Sequence, residues 1–236
     1  ILAGLEPIVR GVSSFSEIEL VQKEDDGASV HNQVIATITG NHRAILVLER
    51  TLLNLLSHAS GIATRTNMFV QAVEGTNCKI CDTRKTTPGL RHLDKYAVAC
   101  GGGTLHRIGL HDAALYKDNH ISHLSDIETE LAIAIQKGTA QHLKFVEVEV
   151  DSIDQLKKVL QLKVDMVLLD NMNIEQLQEC VLLRDQVNGS IQLEASGGVT
   201  LNTVCSIAET GVDRIAIGGI THQATWLDIG LDVHLG

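Results

Sequence analysis

Arg84, Lys85 and Arg91 crowd into the stretch Asp82-Thr83-Arg84-Lys85-Thr86-Thr87-Pro88-Gly89-Leu90-Arg91, in a protein of 236 residues whose formal net charge is -10. The stretch follows a short apolar run and encloses a Pro-Gly turn. Cations concentrated at the end of a strand in an otherwise acidic protein fit a small anionic ligand. A nucleic acid calls for a broad basic face instead.

Charge and glycine recur further along. The chain presents Gly101-Gly102-Gly103-Thr104-Leu105-His106-Arg107, Lys117-Asp118-Asn119-His120, Glu147 and Glu149 alternating with Val146, Val148 and Val150, Asp170-Asn171, Ser196-Gly197-Gly198, and Gly218-Gly219. Each has a bland reading. Glycine turns before helices are often only caps, and His106 beside Arg107 can be an ordinary loop pair. Two consecutive glycine turns after the last strands of a barrel, however, match the usual phosphate-binding position. A barrel strand points its side chains inward or toward the helices, and neither place suits a lone carboxylate. At least one of Glu147 and Glu149 is therefore expected to meet a cation or a metal. Asp170 at a strand end is a candidate Mg²⁺ ligand, since Mg²⁺ prefers a few carboxylates plus phosphate oxygens. Cys78-x-x-Cys81 has metal or redox spacing but lacks a second pair, and His120 and His123 lack a third ligand.

The elements that would position these residues follow a regular pattern. Strands are expected at Lys79 to Asp82, Ala113 to Lys117, Phe145 to Val150, Asp165 to Leu169, Ile191 to Ala195 and Arg214 to Ile217. Helices are expected after Lys117 from a capping box at Ser125 and Glu128, after an Asp151 N-cap, from Asn173 to Val187, and from Thr200 to Thr210. Repeated strand-helix units of this length predict a parallel sheet, best closed as an incomplete (β/α) TIM-like barrel, with a doubly wound open sheet as the alternative. Aromatics are only 3% against 44% hydrophobic residues, so the core must be aliphatic, as in a buried parallel sheet. Before about Ser60 the pattern changes. Glu17 to Leu20 and Val34 to Thr39 alternate like half-exposed antiparallel strands, and Asn41 to His58 reads as an amphipathic helix with Ile45, Leu48, Leu52 and Leu55 inward and Arg43, Arg50 and Asn54 outward. The expected organisation is an N-terminal α+β sandwich domain over 1–60, joined by 223–236, and a barrel over 61–222. Five cysteines without a secretory segment predict a cytoplasmic protein with reduced thiols, and the absence of a long apolar run predicts no membrane span.

These segments, together with Leu2-Ala3-Gly4-Leu5, Glu49-Arg50-Thr51, Ser60 to Thr64, Lys95 to Val98 and Gly218 to His222, resemble quinolinate phosphoribosyltransferase, in family order and over nearly the whole chain. The family carries a further segment before the position of Ile1. Ala195 stands where a serine is common and Gly219 where an alanine is common. The resemblance implies a reaction in which quinolinate and phosphoribosyl pyrophosphate give nicotinate mononucleotide, pyrophosphate and CO₂ with Mg²⁺. It also implies a homodimer in which one subunit's N-terminal domain closes the other's barrel mouth. By the same resemblance Arg84, His106, Arg107 and Lys117 hold quinolinate, with Arg50 reaching in from the partner. Lys85, Glu149, Asp170, Ser196, Gly197, Gly218 and His222 serve phosphoribosyl pyrophosphate, Glu149 and Asp170 as Mg²⁺ or ribose ligands. The cationic set suits a dicarboxylate, because arginine pairs bidentately with carboxylates. A related pyrophosphorylase-like protein with another substrate, a salvage-type nicotinate transferase and a non-catalytic barrel that binds a phosphometabolite are the alternatives.

Overall fold

The computed structural model describes residues 1–117, 129, 131–133, 135, 136 and 143–233. The expected Asp118, Asn119 and His120 of the lysine motif, His123, and the capping box at Ser125 and Glu128 lie outside the described residues. In chain order the elements are α1 (Leu5–Val12), β1 (Ile18–Gln22), β2 (Ala36–Gly40), α2 (His42–Ala72), β3 (Lys79–Cys81), α3 (Arg91–Cys100), β4 (Ala114–Tyr116), β5 (Val146–Val150), α4 (Ile153–Val159), β6 (Met166–Asp170), α5 (Ile174–Asn188), β7 (Gln192–Ser196), α6 (Val204–Ala208), β8 (Arg214–Ala216) and α7 (Gly219–His222). They pack as two compact units, one of Ile1–Val70, Lys85–Leu105 and Gly218–Gly236, the other of Gln71–Arg84 and His106–Ile217.

The second unit holds a six-stranded parallel sheet in the order β3-β8-β7-β6-β5-β4. A doubly wound sheet reverses direction at a switch point. Here each strand lies beside its predecessor from β4 to β8, and the first strand, β3, pairs with the last. That is barrel winding, with no pairing between β3 and β4 among the described residues. The strands read as the sequence suggests. Val146, Val148 and Val150 of β5 are buried, as are Val167 and Leu169 of β6 and Leu193 and Ala195 of β7. Helix α4 brings buried Leu156 and Val159 against β5 and also packs on α5. The alternate positions of the same strands carry Glu147, Glu149, Asp170, Glu194 and Ser196 along with Met166 and Leu168, so one face of the sheet is aliphatic and the other mixes charged with apolar side chains.

In the first unit β1 and β2 form an antiparallel pair, and Ile18 joins Leu2, Leu5, Ile8, Val12 and Leu56 in one apolar cluster. Ile45, Leu48, Leu52 and Leu55 of α2 line it, while Arg43, Arg50 and Asn54 are exposed, as the periodicity predicts. Asn41 caps α2: its side-chain oxygen accepts the N–H groups of Arg43 and Ala44 at 3.0 and 3.2 Å. Asp26 caps α1 from a distance, accepting from the N–H groups of Leu5 and Glu6, both at 3.0 Å.

Three boundaries differ from the sequence reading. Helix α2 does not stop at His58 but continues to Ala72, so residue 60 falls inside it. Gly61, a poor helix residue, is there for close approach rather than as a stop: a Cβ would lie 2.2 Å from the carbonyl oxygen of Thr225. The N-cap position of α4 is Ser152, without a side-chain cap, and not Asp151, whose N–H donates to Gln155 Oε1 at 2.9 Å. The helix expected from Thr200 begins only at Val204. Thr200 and Thr203 close a hydroxyl-backed turn first, with the Thr200 N–H on the Thr203 hydroxyl at 3.0 Å. By contrast, α5 starts at the expected place with a complete Asn173/Gln176 capping box. Helices α1 and α3 were not read from the sequence; α1 has only a left-handed Gly4 at its N-cap, and neither has a side-chain cap of its own. No described helix is long and apolar enough to cross a membrane.

Candidate active site

All six strands of the sheet run the same way, so their C-terminal ends share one edge. Asp82 and Arg84 follow β3, Lys117 follows β4, Glu149 lies near the end of β5, and Asp170 and Ser196 close β6 and β7 as register partners. Arg84 and Lys117 are exposed, and Arg107 is 7% exposed. Burial holds the Arg107 guanidinium below its usual range, and Arg84 nearby pushes it the same way. Two guanidiniums near enough to repel, one of them nearly buried, define a place where an anion is stabilising. The Lys117 ammonium bonds Glu149 Oε2 at 2.9 Å and so joins the cationic side of this edge to its carboxylates.

Asp170, Asn171, Ser196 and Gly197 interlock. The Asn171 N–H donates to the Ser196 carbonyl at 2.9 Å, and the Asn171 amide donates to Asp170 Oδ2 at 2.8 Å. Gly197 has φ +101°, and a Cβ there would sit 2.1 Å from Asn171 Oδ1. Only glycine permits this junction. Glu149 and Asp170 offer hard oxygen donors on neighbouring strands, which suits Mg²⁺ shared with phosphate oxygens, and no soft ligand stands among them.

Behind this edge lies a buried quartet. His106 Nε2 is 2.9 Å from Glu147 Oε2 and 3.3 Å from Glu194 Oε1, and Arg214 Nε donates to Glu194 Oε2 at 2.9 Å. Glu147 and Glu194 are both 0% exposed. Burial lowers the basicity of His106, but hydrogen bonds to the two carboxylates outweigh it and raise the imidazole to about 9. Burial and the charge of Glu194 raise Glu147. Geometry decides where the proton sits. His106 Nδ1 accepts the Arg107 N–H at 2.8 Å, which requires an unprotonated Nδ1. The hydrogen bond is the more direct observation, so the ring is neutral with its proton on Nε2. Among the described residues His106, Glu147 and Glu194 are also the one group with metal-ligand spacing, within 4.8 Å of one another. The same tautomer excludes a metal there, because a metal on Nε2 would move the proton to Nδ1 and against the Arg107 N–H.

In the other unit Lys85 is exposed, and its carbonyl accepts the Thr221 hydroxyl of α7 at 2.7 Å. The loop after Lys85 is held by Asp94, whose Oδ2 accepts the Thr87 N–H at 2.7 Å and whose Oδ1 lies 2.8 Å from His58 Nε2. Arg91 bonds the Thr86 hydroxyl at 3.1 Å, a structural role. Gly218 precedes α7 and His222 ends it, exposed. Arg50 is exposed on α2, its side chain 82% accessible and 3.7 Å from Glu49.

Sequence reasoning named Glu147 but missed Glu194, Arg214, Asp94 and Thr221. The signal for Glu194 was present: a carboxylate between Leu193 and Ala195 in an apolar strand poses the question that Glu147 posed. Cys78 and Cys81 are buried free thiols. Burial and the nearby carboxylates of Asp213 and Glu194 push Cys78 up to about 12, and burial with Glu194 raises Cys81 as well, so neither thiol is activated.

Comparison with known proteins bears on the whole of this arrangement. Residues 1–60 match the model of the quinolinate phosphoribosyl transferase N-terminal domain, and residues 62–232 that of its C-terminal domain. The chain is 45% identical over 215 residues to the nicotinate-nucleotide pyrophosphorylase [carboxylating] of Mycobacterium leprae, covering 91% of this chain and 75% of that protein. It is 40% identical to the probable enzyme of that name in Bacillus subtilis, covering 100% of this chain and 80% of that one. The crystal structure of the nicotinate-nucleotide pyrophosphorylase from Ehrlichia chaffeensis superposes with a TM-score of 0.84 at 42% identity, covering 99% of this chain and 84% of that one. The chain belongs to the quinolinate phosphoribosyltransferase family.

Proposed function

We propose that this chain is a carboxylating nicotinate-nucleotide pyrophosphorylase, a pentosyltransferase of NAD biosynthesis. It transfers the phosphoribosyl group of phosphoribosyl pyrophosphate to quinolinate, releasing pyrophosphate and CO₂. The observation that carries the reading is the Arg84 and Arg107 pair in an acidic protein, Arg84 following β3 at the sheet edge and its charge reaching the nearly buried Arg107 guanidinium. With Lys117 it suits two carboxylates on one small ring; nicotinate, with one, would leave cationic charge uncompensated. His106 serves this pocket from below, its ring nitrogens engaged by Glu147 and the Arg107 N–H.

The pyridine nitrogen attacks the anomeric carbon as the bond to pyrophosphate oxygen breaks. Lys85 stabilises the charge on the leaving group, and Glu149 and Asp170 face the cationic ribose. These two carboxylates would also hold Mg²⁺, which supplies charge neutralisation of the pyrophosphate. Ser196, Gly197 and Gly218 offer backbone N–H groups to the phosphate, and His222 serves the same substrate. The new ring nitrogen is positive, so the bonding pair left on the adjacent carbon as CO₂ departs is stabilised there, and a proton then restores C–H. Positioning by the arginines is sufficient for this step without a strong base.

The test is quinolinate-dependent turnover with Mg²⁺. Equal amounts of CO₂ and pyrophosphate are expected, and chelation should abolish both. Pyrophosphate from nicotinate without CO₂ would point to a salvage enzyme; tight binding without turnover would point to a sensor. We propose further that the protein acts as a homodimer in the cytoplasm, residues 1–60 with 223–236 forming the module that carries Arg50 to the partner's barrel of residues 61–222. Exposed Leu46 and Val47 beside Arg50 on α2 support an apposed surface. A monomeric mass at assay concentration with full activity would sink this.

A further inference from the structure

We propose that Glu147 and Glu194 are positioning residues for the dicarboxylate substrate, acting through His106 to fix the backbone of Arg107 and aim its guanidinium. This rests on the quinolinate reading above.

His106 is fixed on every side. Its backbone N–H donates to Asp82 Oδ1 at 2.6 Å, its Nε2 meets Glu147 and Glu194 at 2.9 and 3.3 Å, and its Nδ1 accepts from the Arg107 N–H at 2.8 Å. The Phe145 ring stands edge-on to it, centroids 5.5 Å apart at 89°. Asp82 is itself 0% exposed and lies two residues before Arg84. The two arginines of the pocket are thus tied to one buried frame: Arg84 through Asp82, Arg107 through His106.

The quartet is poorly explained as a stability device. Glu147 Oε1 and Arg214 Nη2 are buried without a hydrogen bond, and Glu194 Oε1 has only the long 3.3 Å approach of His106 Nε2. A buried charge set left partly unsatisfied is worse for stability than an aliphatic one of the same volume. What the carboxylates do accomplish is directional. An acceptor at Nε2 holds the ring proton there, and that leaves Nδ1 free to accept the Arg107 N–H. Remove the acceptor and the ring can carry its proton on Nδ1, where it opposes the amide.

The test uses the full-length enzyme with quinolinate and phosphoribosyl pyrophosphate varied separately. Glu147→Met removes the acceptor at similar volume. The quinolinate KM should rise roughly tenfold or more, since small misplacement of a binding group is costly, while the phosphoribosyl pyrophosphate KM stays within about twofold. Glu147→Gln, whose carbonyl still accepts the Nε2 proton, should recover most of the loss. Equal rises in both KM values would overturn the proposal, because they would place the effect in strand β5 and Glu149. So would an unchanged quinolinate KM in the folded Met variant. The wild-type protein supplies an arm independent of folding and of the substrate: ring ¹⁵N resonances of His106. Two widely separated signals, with Nδ1 the acceptor, support the proposal, and two similar signals of an imidazolium overturn it. Absence of quinolinate turnover would remove the functional reading while leaving this tautomer result to stand by itself.

Discussion

The two compact units both bury charge, but the first keeps its buried pair, His58 and Asp94, outside its apolar cluster. In the first, Leu2, Leu5, Ile8, Val12, Ile18 and Leu56 form a purely apolar cluster. In the second, one face of the parallel sheet is equally apolar, yet the other buries His106, Glu147 and Glu194 with Arg214. Burying a leucine stabilises by about 2 kcal/mol, whereas burying a charge costs several kcal/mol before its partners offset it. The apolar cluster explains itself. The charged interior does not, and it lies on the face of the sheet to which the proposed site belongs.

That contrast yields graded expectations. Leu5→Ala should cost about 3 kcal/mol of stability by cavity formation, read as a lower urea midpoint, with both KM values unchanged within error. Lost affinity in step with stability would dissolve the distinction between the units. Arg84→Ala should do the reverse. The quinolinate KM should rise on the order of 30-fold, about 2 kcal/mol for charge-assisted hydrogen bonds, with the melting temperature nearly unmoved; Arg84→Lys should recover little, lacking the guanidinium fork. An unchanged quinolinate affinity would remove Arg84 from the pocket. Gly197→Ala lies between the two kinds. The positive φ and the clash with Asn171 should cost roughly 1–2 kcal/mol of stability and weaken phosphoribosyl pyrophosphate more than quinolinate. Equal weakening of both substrates would show that the Asp170–Gly197 junction does not belong to the phosphate side.

The barrel was legible because its strands are short runs of β-branched residues separated by amphipathic helices of regular length. The helix expected from about Asn173 to Val187 is found at Ile174–Asn188. The site was legible as a set of strand ends, since a barrel gathers those ends on one edge whatever their separation in sequence. Three things were not legible. Helix α2 was cut short at His58, because the apolar periodicity gives way there to Ala59-Ser60-Gly61, and the segment at Thr225 that packs on Gly61 cannot be read from the sequence. The buried quartet was half seen, because a strand pattern shows that Glu147 is anomalous but not that Glu194, in a strand two places along in the sheet, answers to the same histidine. Asp94 and Thr221 were missed because one lies on an unread helix and the other on a four-residue one, and both act through backbone groups of the basic loop.

The pairing of β3 with β8 has a consequence in time. Cys81 and Ala216 are register partners, so the strand that launches Arg84 has its only described neighbour at the far end of the unit. As the chain leaves the ribosome, β5 to β7 can zip together in order, but β3 must wait with an open edge until β8 emerges. Arg84 is thus on the last part of the sheet to be locked in place, and a nascent chain stalled before residue 214 would hold β4 to β7 assembled with β3 unpaired. Closure of so distant a pair sets the slow step of folding.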